Sequence, residues 1–94
     1  MVTTFVVHKV NDFDAWKSVY DAFTPVRKAN GVIGASVHRD VNDPNNLIVT
    51  HQFKDLKTAQ AFLASGELKS AMQNAGVASK PSIWLGEHIE NTSN

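Results

Sequence analysis

The chain has 94 residues, the length of one small domain, and a domain of this size buries only about 60 to 65% of its unfolded surface. It has no cysteine, which excludes disulfide bonds and thiolate zinc sites. Nine basic residues balance nine acidic ones, without the basic stripe that nucleic-acid binding requires. Because so little core is available, we expect an apolar sheet face to be buried against a second copy in a homodimer.

The first predicted element is a strand over residues 3–10, where β-branched residues dominate. The segment has no basic region before it and stops being apolar at His8. It is therefore too short for a signal peptide or a membrane span. We expect a cytoplasmic protein that has no membrane partner.

A helix is predicted next. Asn11 or Asp12 offers an amino-terminal cap, and Asp14 suits the first turn. Apolar residues then recur at offsets of three, four, seven and ten, which is the pattern of one helix face. The members of this apolar stripe are Trp16, Val19, Tyr20, Phe23 and Val26.

The end of this helix carries several local signals. Arg27 and Lys28 suit the final turn, and Gly31 suits the left-handed position just past it. Pro25 lies inside the apolar pattern, where proline removes a helical hydrogen bond. We therefore expect a kink or a break near Thr24.

A hairpin is predicted from residues 32–39 and 47–53, because residues 40–46 between them are dense in turn formers. A turn centred near Asp43 pairs residues whose numbers sum to about 86. One face then carries Ile33, Ala35, Val37, Leu47, Val49, His51 and Phe53. This is the better core face, with His51 as its polar exception, and His38 falls on the opposite face.

The last predicted elements are a second helix and a final strand. Asp55 caps the helix, Ser65-Gly66 interrupts it, and residues 81–89 form the strand. The apolar stripe of the helix is Leu56, Ala59, Phe62, Leu63, Leu68, Ala71, Met72 and Ala75. With right-handed crossovers, this order predicts an α+β, ferredoxin-like βαββαβ fold: one four-stranded antiparallel sheet with its helices on one face. We expect a single domain over residues 1–90 and a loose tail over residues 91–94.

Several short motifs between His8 and Glu90 carry a family resemblance. They are Val10-x-Asp12-Phe13-x-x-Trp16, Arg27-Lys28-x-x-Gly31, His38-Arg39-Asp40, Asp43-Pro44-Asn45, Phe53-x-Asp55-Leu56, Ala61-Phe62-Leu63 and Glu67-Leu68-Lys69-x-Ala71-Met72. In these motifs the chain resembles the antibiotic-biosynthesis-monooxygenase-like proteins of the dimeric α/β-barrel superfamily. The resemblance implies two sheets packed face to face in a homodimer, and a small apolar pocket between sheet and helices in each subunit. Members of similar architecture include cofactor-free quinol monooxygenases, haem-degrading monooxygenases, polyketide cyclases and lactone isomerases.

Four histidines, at positions 8, 38, 51 and 88, fall one on each predicted strand. Histidine is well suited to proton transfer near neutral pH. The first and third strands are central neighbours in this fold, so His8 and His51 could approach each other if both face the pocket. Our hypothesis makes His51 the base, His8 its partner, and Tyr20, the only tyrosine, an orienting donor. The alternative is that all three are structural residues whose polar atoms bond to neighbours.

The pocket is expected to hold a small hydrophobic or aromatic metabolite. Trp16, Phe23, Phe62 and Trp84 are its candidate lining residues, although each also fits a plain core position. We expect no metal and no cofactor, because no HxH or HxxxH spacing occurs and the glycines match no phosphate-binding motif. In similar haem-degrading enzymes a histidine on the second helix holds the iron, and residues 55–76 contain none.

Two classes of function remain open. The first is a small cofactor-free enzyme for an aromatic or polyketide-like metabolite, a monooxygenase that begins with proton abstraction, as the resemblance implies. The same base could instead drive cyclisation or isomerisation. The second is a non-catalytic dimer that binds a hydrophobic metabolite or acts as a stress-response module. If His8 and His51 point to opposite faces of the sheet, the paired-imidazole mechanism is excluded.

Overall fold

The computed structural model describes the whole chain, residues 1–94. Its elements are, in order, β1 Val2–Lys9, α1 Phe13–Ala22, α2 Thr24–Ala29, β2 Val32–Asp40, β3 Asp43–Phe53, α3 Leu56–Leu63, α4 Gly66–Asn74 and β4 Ser82–Glu87. The strands form one antiparallel sheet in the order β2-β3-β1-β4, which confirms the predicted ferredoxin-like fold. None of the helices combines the length and the hydropathy needed to cross a bilayer.

Side-chain caps determine where the helices begin. The carboxylate of Asp12 accepts a hydrogen bond from the backbone N–H of Ala15 at 2.9 Å. Asp55 accepts one from the backbone N–H of Thr58 at 2.8 Å, and Ser65 caps α4 in the same manner. Such caps pair backbone donors that the first turn of a helix leaves free. The predicted caps of the first and second helices are thereby confirmed.

Each of the two predicted helices is divided into two pieces. α1 ends at Ala22 and α2 starts at Thr24, with Pro25 in the first turn of α2. Proline is tolerated in a first turn because that N–H is unpaired in any case. The second helix is divided at the predicted interruption, Ser65-Gly66. Gly31 has a φ of +87°, which confirms the left-handed position expected after α2.

Strand pairing decides which side chains face the helices. Ala35 lies opposite His51 in the β2–β3 hairpin, as predicted, although β3 begins at Asp43 and the turn is shorter than expected. Across β1 and β3, Thr4 lies opposite His51. Because side chains alternate along a strand, the even-numbered residues of β1 and the odd-numbered residues of β3 face the helices together.

The core lies between the sheet and the helices in two clusters. The first contains Val10, Trp16, Leu47, Val49 and Ala75, and the second contains Phe53, Ala59 and Phe62. Ile33 was predicted on the core face, and this was wrong. It is 61% exposed because a bulge between Val32 and Gly34 shifts the strand register at that point.

One side of this layer is thinly packed. No residue of α4 is buried, and on the neighbouring edge strand β4 the helix-facing side chains of Ile83 and Leu85 are more than two-fifths exposed. Space therefore remains between α4 and the sheet, and the candidate site lies there.

Candidate functional site

A cavity of about 450 Å³ lies between the helix-facing side of the sheet and the helices. Fifteen of its 23 lining residues are hydrophobic. The polar and charged side chains in the lining are His8, Arg27, His51, Ser65, Lys69 and Gln73, together with the hydroxyl-bearing Tyr20. An apolar cavity with a few convergent polar groups is the usual form of a small-molecule site.

His8 and His51 point to the same face of the sheet and line the same cavity. They are not in contact. His51 lies opposite Thr4, and His8 is four residues farther along β1, which separates the two positions by about 13 Å along the strand. The structure therefore brings the two imidazoles into one cavity, at different ends of it.

His51 lies in an apolar and positively charged environment. Its ring centroid is 5.3 Å from that of Phe62, and its Nδ1 is buried without a hydrogen-bond partner. Burial, and to a lesser extent the nearby positive charge of Arg27, lowers the pKa of His51 to about 4. The imidazole is therefore neutral at physiological pH, and its Nε2 is the ring nitrogen that is not sealed off.

His8 lies at the other end of the cavity. Its ring packs against Trp16, with the centroids 5.9 Å apart and the planes at 65°. Both ring nitrogens are buried and neither has a partner. Burial lowers the pKa of His8, so this ring also carries one unpaired donor and one unpaired acceptor rather than a charge.

Between the two histidines runs a stack built on α1. Trp16 and Tyr20 are one helical turn apart and stack with their ring centroids 5.0 Å apart. The guanidinium carbon of Arg27 lies 3.9 Å from the centre of the Tyr20 ring, close enough for a cation–π contact. Tyr20 thus lies between an aromatic ring and a cation, at the wall of the cavity.

Arg27 is the site residue that sequence reasoning missed. Arg27 lies in the final turn of α2, where the sequence predicts an exposed cation, yet it is only 7% exposed. A signal was present in the sequence. Arg27 follows Phe23 by four residues and Tyr20 by seven, so it continues the apolar stripe that predicted the helix.

The structure places three of the four predicted aromatic residues at the cavity: Trp16, Phe23 and Phe62. The prediction for Trp84 was wrong. Trp84 lies opposite Phe5 on the other face of the sheet and is 57% exposed. Because side chains alternate along β4, its neighbour Ile83 takes the position at the cavity.

No group of three or more His, Asp or Glu side chains is arranged to hold a metal ion.

A family model described as antibiotic biosynthesis monooxygenase matches residues 2–74. The chain belongs to the antibiotic biosynthesis monooxygenase family. No curated protein sequence gives a significant match.

Solved structures share the fold of this family member at low sequence identity. SnoaB, a cofactor-independent oxygenase from Streptomyces nogalater, is 14% identical with a TM-score of 0.80, over 99% of this chain and 97% of SnoaB. NE2512, a protein of unknown function from Nitrosomonas europaea, is 20% identical with a TM-score of 0.77, over 99% and 93% of the two chains. A conserved protein from Methanosarcina mazei Go1 is 12% identical with a TM-score of 0.73, over 90% of this chain and 89% of that protein. At these identities the likeness establishes the fold of the chain.

Proposed function

We propose that the chain is a cofactor-free monooxygenase for a small aromatic or polyketide-like metabolite, with His51 as the base. The observation that carries this proposal is a neutral imidazole at the wall of a largely apolar cavity of about 450 Å³. A neutral imidazole can accept a proton, and an apolar surrounding strengthens the electrostatic interactions of an anion formed there. Membership of the antibiotic biosynthesis monooxygenase family supports the same chemistry.

In this mechanism Nε2 of His51 removes a proton from an activated CH₂ group of the substrate, and the electron pair of the broken C–H bond stays on carbon. The carbanion transfers electrons to dioxygen, and a carbon–oxygen bond forms to give a peroxide. Return of the proton from His51 and loss of the second hydrogen then release water and leave a carbonyl. The overall balance is CH₂ plus O₂ to C=O plus H₂O.

Tyr20 and His8 have supporting roles in the proposal. Tyr20 donates a hydrogen bond to a substrate oxygen from the middle of the cavity wall. His8 lies too far along β1 to share a proton with His51 directly, and both of its ring nitrogens are buried, so it contributes to the cavity wall through the ring that packs against Trp16. The separation of the two histidines suits a molecule with several fused rings.

A non-catalytic ligand-binding protein is the second candidate. It is favoured by the unpaired Nδ1 of His51, because a catalytic base is usually held in position by a hydrogen bond to its second nitrogen. A cyclase or an isomerase would use the same base without dioxygen.

We also propose that the outer face of the sheet is the interface of a homodimer. This outer sheet face points away from the helices and carries the partly exposed side chains of Phe5, Ile48 and Trp84. A cluster of exposed large apolar side chains on one sheet face is typical of a protein–protein contact. It would leave the cavity on the other side of the sheet in each subunit.

The test is dioxygen uptake with a panel of anthrones, which carry the activated CH₂ group that the mechanism requires, measured for the wild type, His51→Gln and His38→Gln. The last variant is the control for loss of an imidazole outside the cavity, because His38 lies on the outer sheet face. Since that face is the proposed interface, sedimentation must show that His38→Gln assembles as the wild type does. The proposal requires uptake that His51→Gln loses and His38→Gln keeps, with all three proteins folded. Binding of panel members by the wild type without any uptake would favour the second candidate.

A further inference from the structure

Arg27 carries a buried positive charge for which the protein supplies no counter-charge. Its side chain is only 7% exposed. The two ion pairs of the structure join Lys9 to Asp43 and Lys17 to Asp21, and neither involves Arg27. A buried charge without a partner is costly, so such an arginine calls for an explanation.

The hydrogen bonds of Arg27 satisfy only part of the guanidinium. Nη1 donates to the backbone carbonyl of Tyr20 at 2.6 Å, and Nη2 donates to Oγ1 of Thr24 at 2.8 Å. The first bond pairs a carbonyl at the end of α1, which is a structural role. Both acceptors are neutral, however, and a guanidinium has five N–H donors. The charge itself remains, and it lies at the cavity, because Arg27 and His51 are both among the lining residues.

We infer that Arg27 is an anion-binding subsite of the cavity, which takes an ionised oxygen of the ligand, a carboxylate or a phenolate. The inference rests on the proposed function in that it uses the same cavity, and it narrows the ligand class to aromatic acids and acidic phenols. Arginine suits this task because its planar fork binds oxyanions through paired, charge-assisted hydrogen bonds. Stacking on Tyr20 holds the fork at the cavity wall.

An anion at Arg27 also has a consequence for His51. The positive charge that disfavours protonation of the imidazole would be neutralised while the ligand is bound. The base would then accept a proton more readily in the complex than in the free protein. Binding of an anionic ligand at Arg27 would thus make the His51 imidazole a stronger base.

The test compares the binding of two probes of matched shape, 1-naphthoate and 1-naphthalenemethanol, by calorimetry in a buffer of low ionic strength. Neither probe needs to be oxidised, so the measurement does not depend on catalysis. We expect the wild type to bind 1-naphthoate about tenfold to a hundredfold more tightly, the range for a hydrogen bond to a charged group. Arg27→Gln should lose this preference while still binding 1-naphthalenemethanol, and Arg27→Lys should keep part of it.

Lys69 provides the matched control, because it is the other cation in the cavity lining and is exposed. Lys69→Gln should keep the preference for 1-naphthoate. The inference is overturned if the wild type does not bind 1-naphthoate, binds both probes equally, or loses its preference in Lys69→Gln but not in Arg27→Gln. If Arg27→Gln does not fold, the side-chain NMR signal of Arg27 in the wild type is followed during titration with 1-naphthoate. The inference is overturned if 1-naphthoate does not shift this signal. A clear preference together with absent dioxygen uptake would overturn the proposed monooxygenase alone.

Discussion

Removal of the His51 imidazole should flatten the dependence of stability on pH. In the folded protein burial and Arg27 hold the pKa of His51 at about 4, whereas an unfolded chain has a histidine pKa of about 6.5. Between these values the unfolded chain binds more protons, so the free energy of unfolding falls as the pH falls. From pH 7 to pH 5 the loss that is due to His51 amounts to about 2 kcal/mol. His8 acts in the same direction, because burial lowers its pKa too.

The assay is urea unfolding at pH 7, 6 and 5, followed by tryptophan fluorescence at one protein concentration, for the wild type and His51→Gln. The unfolding free energy of the wild type minus that of His51→Gln should fall by about 2 kcal/mol from pH 7 to pH 5, since only the wild type loses the His51 contribution. His38→Gln, on the outer sheet face, should retain the pH dependence of the wild type when sedimentation shows that the two proteins assemble alike. A His51→Gln variant with the same pH dependence as the wild type would refute the reasoning that His51 is buried and neutral.

Two further predictions concern the backbone and the outer sheet face. Gly31→Ala should destabilise the protein by about 1–3 kcal/mol, because φ is +87° and the new Cβ would lie 2.6 Å from Cγ2 of Thr58. Gly66→Ala, where a Cβ meets no atom within 4 Å, should be neutral or stabilising in the same denaturation assay. Trp84→Glu should convert the proposed homodimer to monomers in sedimentation, whereas Leu56→Glu, on α3, should not. A dimer that survives Trp84→Glu would place the interface elsewhere.

Features that depend on nearby residues could be predicted from the sequence. Asp12 and Asp55 cap helices because their carboxylates reach backbone N–H groups three residues away. The break at Pro25 and the left-handed Gly31 follow from the conformations that proline and glycine allow. The hairpin register was also predictable, because the turn formers between the two apolar runs place the centre of the turn near Asp43.

The predictions that failed depend on contacts between distant parts of the chain. Trp84 lies between Ile83 and Leu85, so the strand has no apolar–polar alternation to show which face is buried. Its orientation is decided by pairing with β1, far away in sequence. The burial of Arg27 depends in the same way on how α2 packs after the break near Pro25. The separation of His8 from His51 could be read only once the register of β1 and β3 was known.

The loose packing of α4 separates the shape of the binding cavity from the stability of the core, two properties that usually depend on the same side chains. Ala71 and Met72 line the cavity, yet no residue of this helix is buried in the core. Substitutions at these positions change the shape of the binding space while leaving the buried clusters intact, so their cost to folding is small. Relatives could therefore diverge in the molecules that they accept by changing one helix, with the sheet and the two cavity histidines, His8 and His51, held constant.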